Sequence, residues 1–250
     1  YIIHLAGAGV AEKRWTKKRK QEIINSRVDS GKLIVDSLKR IPNNVKAVIS
    51  ASAIGWYGTD PLSAGEGRGE AFEENDPADE TFLGTTCKQW EESIEPVTRL
   101  GKRLVLLRTG IVLSNEGGAL VEFIKPLRFG VATILGSGKQ IISWIHIDDL
   151  VRIYIAAIEN STMKGVYNAV APQPVSNKEL ILQLAKIKRG RFFVPIHIPS
   201  FILKIGLGEM SIEVLKSAKV SCEKIIKTGF TFHYPDIVST LHHLSGKINS

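Results

Sequence analysis

The stretch AVISASAIGWYG, Ala47 to Gly58, constrains the fold more than any other part of the chain. A short apolar strand runs straight into small hydroxyl residues, then into an aromatic pair bracketed by glycines. A strand buried on both faces reads as a near-continuous β-branched run, here Val45, Val48 and Ile49, and such strands belong to parallel sheets covered by helices. In open α/β sheets the ligand crevice lies beyond the carboxyl ends of the strands, which puts Ser50 and Ser52 where chemistry is expected. The competing reading is a tight turn in which Gly55 and Gly58 merely supply backbone freedom.

The rest of the chain supports a sheet. It opens with YIIHLAGAG, an apolar strand ending in a small-residue turn, and Ala11 to Ser26 has helical composition. Ile23, Ile24, Val28, Leu33, Ile34, Val35 and Leu38 recur at mainly helical spacing until Pro42, Asn43 and Asn44 end the region. Leu104 to Leu107 is a further buried strand, leading into Arg108, Thr109 and Gly110. IISWIHIDDL, Ile141 to Leu150, reads as a strand handing over to a helix, with Asp148 or Asp149 available as its cap. Alternation puts Trp144 and His146 on one face of that strand. Repeated βα units predict an α/β fold with a Rossmann-type doubly wound parallel sheet. A smaller, mainly helical part follows. Asn177 to Lys186 is a helix entered at Ser176, and PIHIP at Pro195 to Pro199 is an extended connector. Phe201 to Val220 has helical spacing broken by Gly206 and Gly208, and Ser221 caps a short helix that stops at Gly229. The expected division is a sheet core over 1–172 and a smaller domain over 173–250.

Composition excludes several classes. With 250 residues and 44% hydrophobic content the chain can bury a substantial core. No apolar run approaches the length of a membrane span, so no membrane partner is expected. Two cysteines, Cys87 and Cys222, show no CxxC spacing, which argues for a reducing, cytoplasmic setting without disulfides. The net charge of +8 has one dense source, KRWTKKRK at Lys13 to Lys20. An exposed basic helix face or attraction of cofactor phosphates both account for it. No nucleic-acid module or aromatic-interleaved basic stripe is present, so nucleic acid is not an expected partner. None of the six histidines has ligand spacing, and the adjacent His242 and His243 point to different faces, so no metal is expected.

HLAG at His4 to Gly7, SASAIGWYG at Ser50 to Gly58, LLRTGIVL at Leu106 to Leu113, WIHIDDL at Trp144 to Leu150 and GVYNAVAPQPVSNKEL at Gly165 to Leu180 stand in one order along the chain. In order and spacing they resemble the extended short-chain dehydrogenase/reductase superfamily. RWTKKRKQEIINSRV, the tail VPIHIPSFILKIGLGEMSIEVL and TGFTFHYPDI resemble its atypical "epimerase family" members, which carry a C-terminal domain of unknown function. One expected element is missing: a strand with a GxxGxxG turn to hold a pyrophosphate. GEGRGE at Gly65 to Glu70 follows no strand and reads as a charged loop. The expectation is a sequence that starts late, lacking roughly two βα units of about 30 residues each.

The resemblance implies that 1–172 is a dinucleotide-binding core, with 113–139 contributing to the substrate cleft, and that 173–250 is a substrate or lid domain. It also implies a site. Ser52 takes the place of the serine that polarises the substrate carbonyl or hydroxyl. Leu5, Ala6, Gly7, Ser50, Ala51, Arg108, Gly110 and Ile111 take cofactor-lining places. In GTTCKQWEE, Lys88 matches the lysine of the YxxxK helix and is expected on the nicotinamide ribose, with Glu92 four residues on. The tyrosine position is Gly84, which has no proton to give. Tyr57 belongs to the serine loop and not to that helix, and its reach into the cleft would be a rescue. Arg27 replaces a supporting asparagine and can bind a phosphate or carboxylate or pack over the sheet. Trp144 and His146 line the substrate pocket or belong to the core. Cys87 is a small hydrophobe and not a nucleophile.

The implied function is an NADP(H)-binding oxidoreductase or nucleotide-sugar epimerase-like protein with an atypical active site, NAD being the other cofactor option. The alternative is a non-catalytic dinucleotide-binding sensor or partner-binding protein, and a scaffold is the third class. The substrate is a small molecule that the residues do not identify. The assembly is open, a homodimer being one option.

Overall fold

The structure is a computed structural model and describes residues 1–59 and 71–246. In chain order the elements are β1 (Ile2–His4), α1 (Lys17–Arg40), β2 (Ala47–Ala53), α2 (Phe82–Ile94), β3 (Arg103–Thr109), β4 (Ile111–Leu113), α3 (Ala119–Leu127), β5 (Val131–Leu135), β6 (Ile141–Ile142), β7 (Trp144–His146), α4 (Ile147–Glu159), β8 (Gly165–Ala169), β9 (Val175–Ser176), α5 (Asn177–Arg189), β10 (Val194–Ile198), α6 (Ser200–Leu207), α7 (Ser211–Leu215), α8 (Glu223–Ile226) and α9 (Ile237–Leu244). The GEGRGE segment lies outside the described residues.

The main sheet runs β1-β2-β3-β8, all parallel, as the buried β-branched runs predict. Helices α1 and α2 pack with Val35 and Ile94 against Val48, Leu104 and Leu106 on one face of it. Helix α4 packs with Ile153 and Ala157 against Ile49, Val105 and Leu107 on the other. Strand registers place Ser52 beside Arg108 and Arg108 beside Asn168, so three polar residues form one row across β2, β3 and β8.

A second core unites α3, β5, α5 and α9 around Leu120, Ile134, Leu184 and Leu241. Residues 217–225 return to the first core through Ala218, Val220, Cys222 and Ile225. Ser143 ties that return, its hydroxyl donating to Ala218 O and accepting from Val220 N. The two cores are therefore interleaved along the chain and cross residue 172 in both directions.

Several local expectations shift. The first helix begins at Lys17, because Thr16 caps it by accepting from Arg19 N, while Trp15 is pinned outside the helix by its bond to Val10 O. PIHIP is a strand, β10, pairing in parallel with β5. Helix α6 runs through Gly206 and breaks only at Gly208, whose φ of +62° suits glycine. Neither Asp148 nor Asp149 caps α4. His146 does, its Nδ1 accepting from Asp148 N, and the buried Asp149 accepts instead from His233 N and Tyr234 N and pairs with Arg152.

Candidate functional site

The site is built around the carboxyl ends of β1, β2 and β3. Strand β1 ends in the exposed loop Leu5, Ala6 and Gly7, whose small residues leave backbone open to a ligand. Arg27 of α1 packs beneath it: its Nη1 donates to Ala8 O and Ile23 O, and its guanidinium stacks on Trp90. A Cβ on Gly7 would come within 2.9 Å of Arg27 Cζ, so the loop lies directly on a half-buried cation. Exposed backbone with a positive charge below it is a donor set that suits a phosphate-bearing dinucleotide, and these residues fit one.

Behind this rim the predicted side chains do other work. Ser52 is buried and donates from Oγ to Glu91 Oε1 at 2.6 Å. The same carboxylate takes two bonds from Arg108, Nε to Oε1 at 2.8 Å and Nη2 to Oε2 at 3.0 Å, a bidentate ion pair with both side chains out of water. Arg108 Nη1 donates to Tyr57 Oη and to Glu74 O, and its guanidinium lies 3.6 Å from the ring centre of Trp56. Tyr57 is fully buried and donates to Asn168 Oδ1 at 2.7 Å. Glu74 closes the ring by accepting from Asn168 N. Burial, outweighing the Arg108 charge, pushes the Tyr57 phenol up to about 12. Burial also opposes the Arg108 charge, but the Glu91 carboxylate more than offsets it and the guanidinium is held above its ordinary value. Ser52, Tyr57 and Arg108 therefore hold strands and helix together; the Ser52 hydroxyl is turned to Glu91 and not to a cleft as the resemblance implied, and the buried Tyr57 phenol is bonded to Asn168 and not offered as a rescue. Ser50 is likewise committed, 2.9 Å from His4 Nδ1.

The helix register decides which residues of α2 meet the sheet. Leu83 and Cys87 of α2 both approach Gly55 at the end of β2, and Glu91 reaches Ser52, so this is the face that α2 turns toward the sheet. Lys88 is exposed, whereas the Ser52 hydroxyl is turned to Glu91. Burial raises the Cys87 thiol to about 12, which agrees with a small hydrophobe. At Gly84 the space for a side chain is taken: a Cβ would lie 2.1 Å from Asp79 O.

Gly110 is required by packing, since a Cβ there would meet Ser143 O at 2.7 Å and Val170 Cγ1 at 2.8 Å; Ala51 and Ile111 are half-buried at the rim. Trp144 is a core residue, fully buried in the second core with Nε1 donating to Gln173 O. His146 is buried as well. Because its Nδ1 accepts from Asp148 N, its Nε2 carries the proton and donates to His243 Nδ1 at 3.0 Å, under a stacked Tyr234. His146, Asp148 and His243 bring ligand-type atoms within 4.8 Å of one another, a grouping that local spacing could not reveal because His243 comes from α9. Both His146 nitrogens are engaged by these bonds.

The C-terminal segment reaches the same mouth. Met210 and Leu207 pack with Trp15, Phe82 and Leu83, and Lys20 pairs with Glu209. The Lys216 ammonium is buried 3.6 Å from Asp79 Oδ2 and 3.5 Å from Glu213 Oε2. Burial holds the Glu213 carboxyl above its ordinary value despite that ammonium. Sequence reading missed Glu91, Glu74 and Lys216. Only the arginine inside the apolar strand LLRTG hinted that a buried acid must exist, without choosing between Glu91 and Glu92.

The model of the NAD dependent epimerase/dehydratase family matches residues 1–169, and that of a domain of unknown function, DUF1731, matches 198–244. Epimerase family protein YfhF of Bacillus subtilis (strain 168) is 34% identical over 242 residues, covering 97% of this chain and 77% of the relative. The chloroplastic SDR39U1 homolog of Arabidopsis thaliana is 34% identical, covering 96% of this chain and 67% of the relative. The crystal structure of human epimerase family protein SDR39U1 (isoform2) with NADPH superposes with a TM-score of 0.88 at 27% identity, covering 98% of this chain and 81% of that one. Fold, motif order and these matches agree, and the chain belongs to the NAD dependent epimerase/dehydratase family.

Proposed function

We propose that this protein binds NADP(H) along the carboxyl edge of β1-β2-β3 and acts as an oxidoreductase or nucleotide-sugar epimerase-like protein without the YxxxK tyrosine. The observation that carries this reading is the exposed Leu5–Ala6–Gly7 loop seated on the Arg27 guanidinium. The NADPH in the human relative's structure supports the same cofactor, and NAD is the other option. When bound, the nicotinamide supplies or accepts a hydride. The chain's part is to orient it: the Leu5–Gly7 backbone and Arg27 hold the phosphate-bearing portion, while Ala51 and Ile111 border the rim. The buried Glu91–Arg108 network keeps the three strand ends in register and moves no proton.

One observation favours a non-catalytic sensor. Helix α2 offers Leu83 and Cys87 to the end of β2, and neither is an acid at neutral pH. Titration calorimetry with NADPH and NADH tests the cofactor reading. Micromolar NADPH binding that drops at least tenfold in Gly7→Val is expected, and no binding of either nucleotide overturns it. Hydride transfer to any member of a panel of carbonyl compounds and nucleotide sugars, followed at the nicotinamide absorbance, separates the enzyme from the sensor.

A further inference from the structure

The turn that ends α3 and the turn that ends α5 meet at one corner, far in sequence from the dinucleotide edge. Val194 N donates to Gly130 O at 2.8 Å, and Phe192 O lies 3.6 Å from where a Gly130 Cβ would be. Phe129 and Phe192 therefore stand near each other, with 86% and 83% of their surface in solvent. Val194 and Ile196 of β10 are exposed beside this corner, and α6, which begins past the far end of the β5–β10 pair, exposes Phe201, Ile202 and Ile205. At about 200 Å² per ring, Phe129 and Phe192 alone expose on the order of 340 Å². That is already about the size of the largest apolar patch on an ordinary monomer, roughly 300–600 Å².

Charge identifies what this surface fits. Between Glu179 and Glu209 the sequence has no acid, but it has Lys186, Lys188, Arg189, Arg191 and Lys204. Arg128, next to Phe129, is exposed too. A second copy of the chain would set these cations against their own kind. Nor does the strand edge invite pairing. Val194 N and Ile198 O bond across to β5, so Pro195 and His197 face the free edge, and Pro195 has no N–H to give.

We propose that this corner is a peripheral docking surface for an anionic lipid bilayer, with Phe129 and Phe192 entering the headgroup boundary and Arg128, Arg189 and Arg191 meeting lipid phosphates. No helix among the described residues is long and apolar enough to cross a membrane, and the proposal needs none. It departs from the expectation of no membrane partner, which rested on the lack of a spanning run and did not address surface contact.

Flotation of the full chain with vesicles tests it, comparing phosphatidylcholine alone with an equimolar mixture of phosphatidylcholine and phosphatidylglycerol. Binding to the mixed vesicles only is expected, weakening as salt rises. Phe192→Ser lowers the partition coefficient about tenfold and Arg191→Gln about fivefold, with unchanged circular dichroism because both side chains are exposed. Failure of the wild type to float with mixed vesicles overturns the proposal. So does binding that ignores Phe192→Ser, and so does a dimeric mass by analytical ultracentrifugation that Phe192→Ser converts to monomer, since a second copy then covers the patch.

Discussion

Replacing Glu91 by Gln keeps the shape of the side chain and removes its charge from the centre of the molecule. Its carboxylate accepts from Ser52 Oγ at 2.6 Å, Arg108 Nε at 2.8 Å and Arg108 Nη2 at 3.0 Å. The variant leaves the guanidinium, 2% exposed, without a counter-ion. Breaking one side of a buried pair costs about 3–5 kcal/mol. For a domain of this size that lowers the melting temperature by roughly 10 °C. Urea denaturation followed by tryptophan fluorescence is a suitable assay, because Trp56 lies against Arg108 and reports on the network directly. Ser52→Ala removes one hydrogen bond to a charged acceptor and costs about 1.5–3 kcal/mol. Arg108→Met on its own strands the Glu91 carboxylate and is as damaging as Glu91→Gln, whereas the double variant Glu91→Gln/Arg108→Met falls well short of the sum, with a coupling of at least about 2 kcal/mol. NADPH affinity in Ser52→Ala stays within about twofold of wild type. A Glu91→Gln loss under about 1 kcal/mol, or additive effects in the cycle, would refute the assignment of this network to stability.

Three other outcomes follow from the same geometry. Gly84→Tyr restores no proton donor; its Cβ meets Asp79 O at 2.1 Å, so the variant is destabilised by about 3 kcal/mol, read from its urea midpoint, and gains no hydride transfer. Lys88→Ala changes NADPH affinity by less than about twofold in calorimetry, whereas Arg27→Ala weakens it by about tenfold. Burial holds His146 and His4 below their ordinary value, so the folded chain binds fewer protons than the unfolded one. Their contribution is complete above about pH 6.5 and is lost as pH falls toward the lower folded values, which denaturation midpoints between pH 7.5 and 5 will record as a falling curve.

The parallel sheet was legible in the chain because a buried strand needs β-branched runs, and AVIS and LVLL are such runs whatever surrounds them. Motif order carried the family for the same reason: each motif is local, and the chain keeps their sequence. Local capping was readable at Ser176, which accepts from Glu179 N, but at α4 the structure chose His146 over either aspartate because Asp149 was needed to hold the backbone at His233 and Tyr234. The rotation of α2 is a tertiary property. A shift of one residue turns a helix by about 100°, so composition left Cys87 or Lys88 as the inward residue, and only packing against Gly55 and Ser52 selected the stripe Gly84, Cys87 and Glu91. Ser52 shows the same division. Its place after a strand is written in the sequence, but whether its hydroxyl meets a ligand or a carboxylate depends on Glu91, 39 residues away and brought there by the fold.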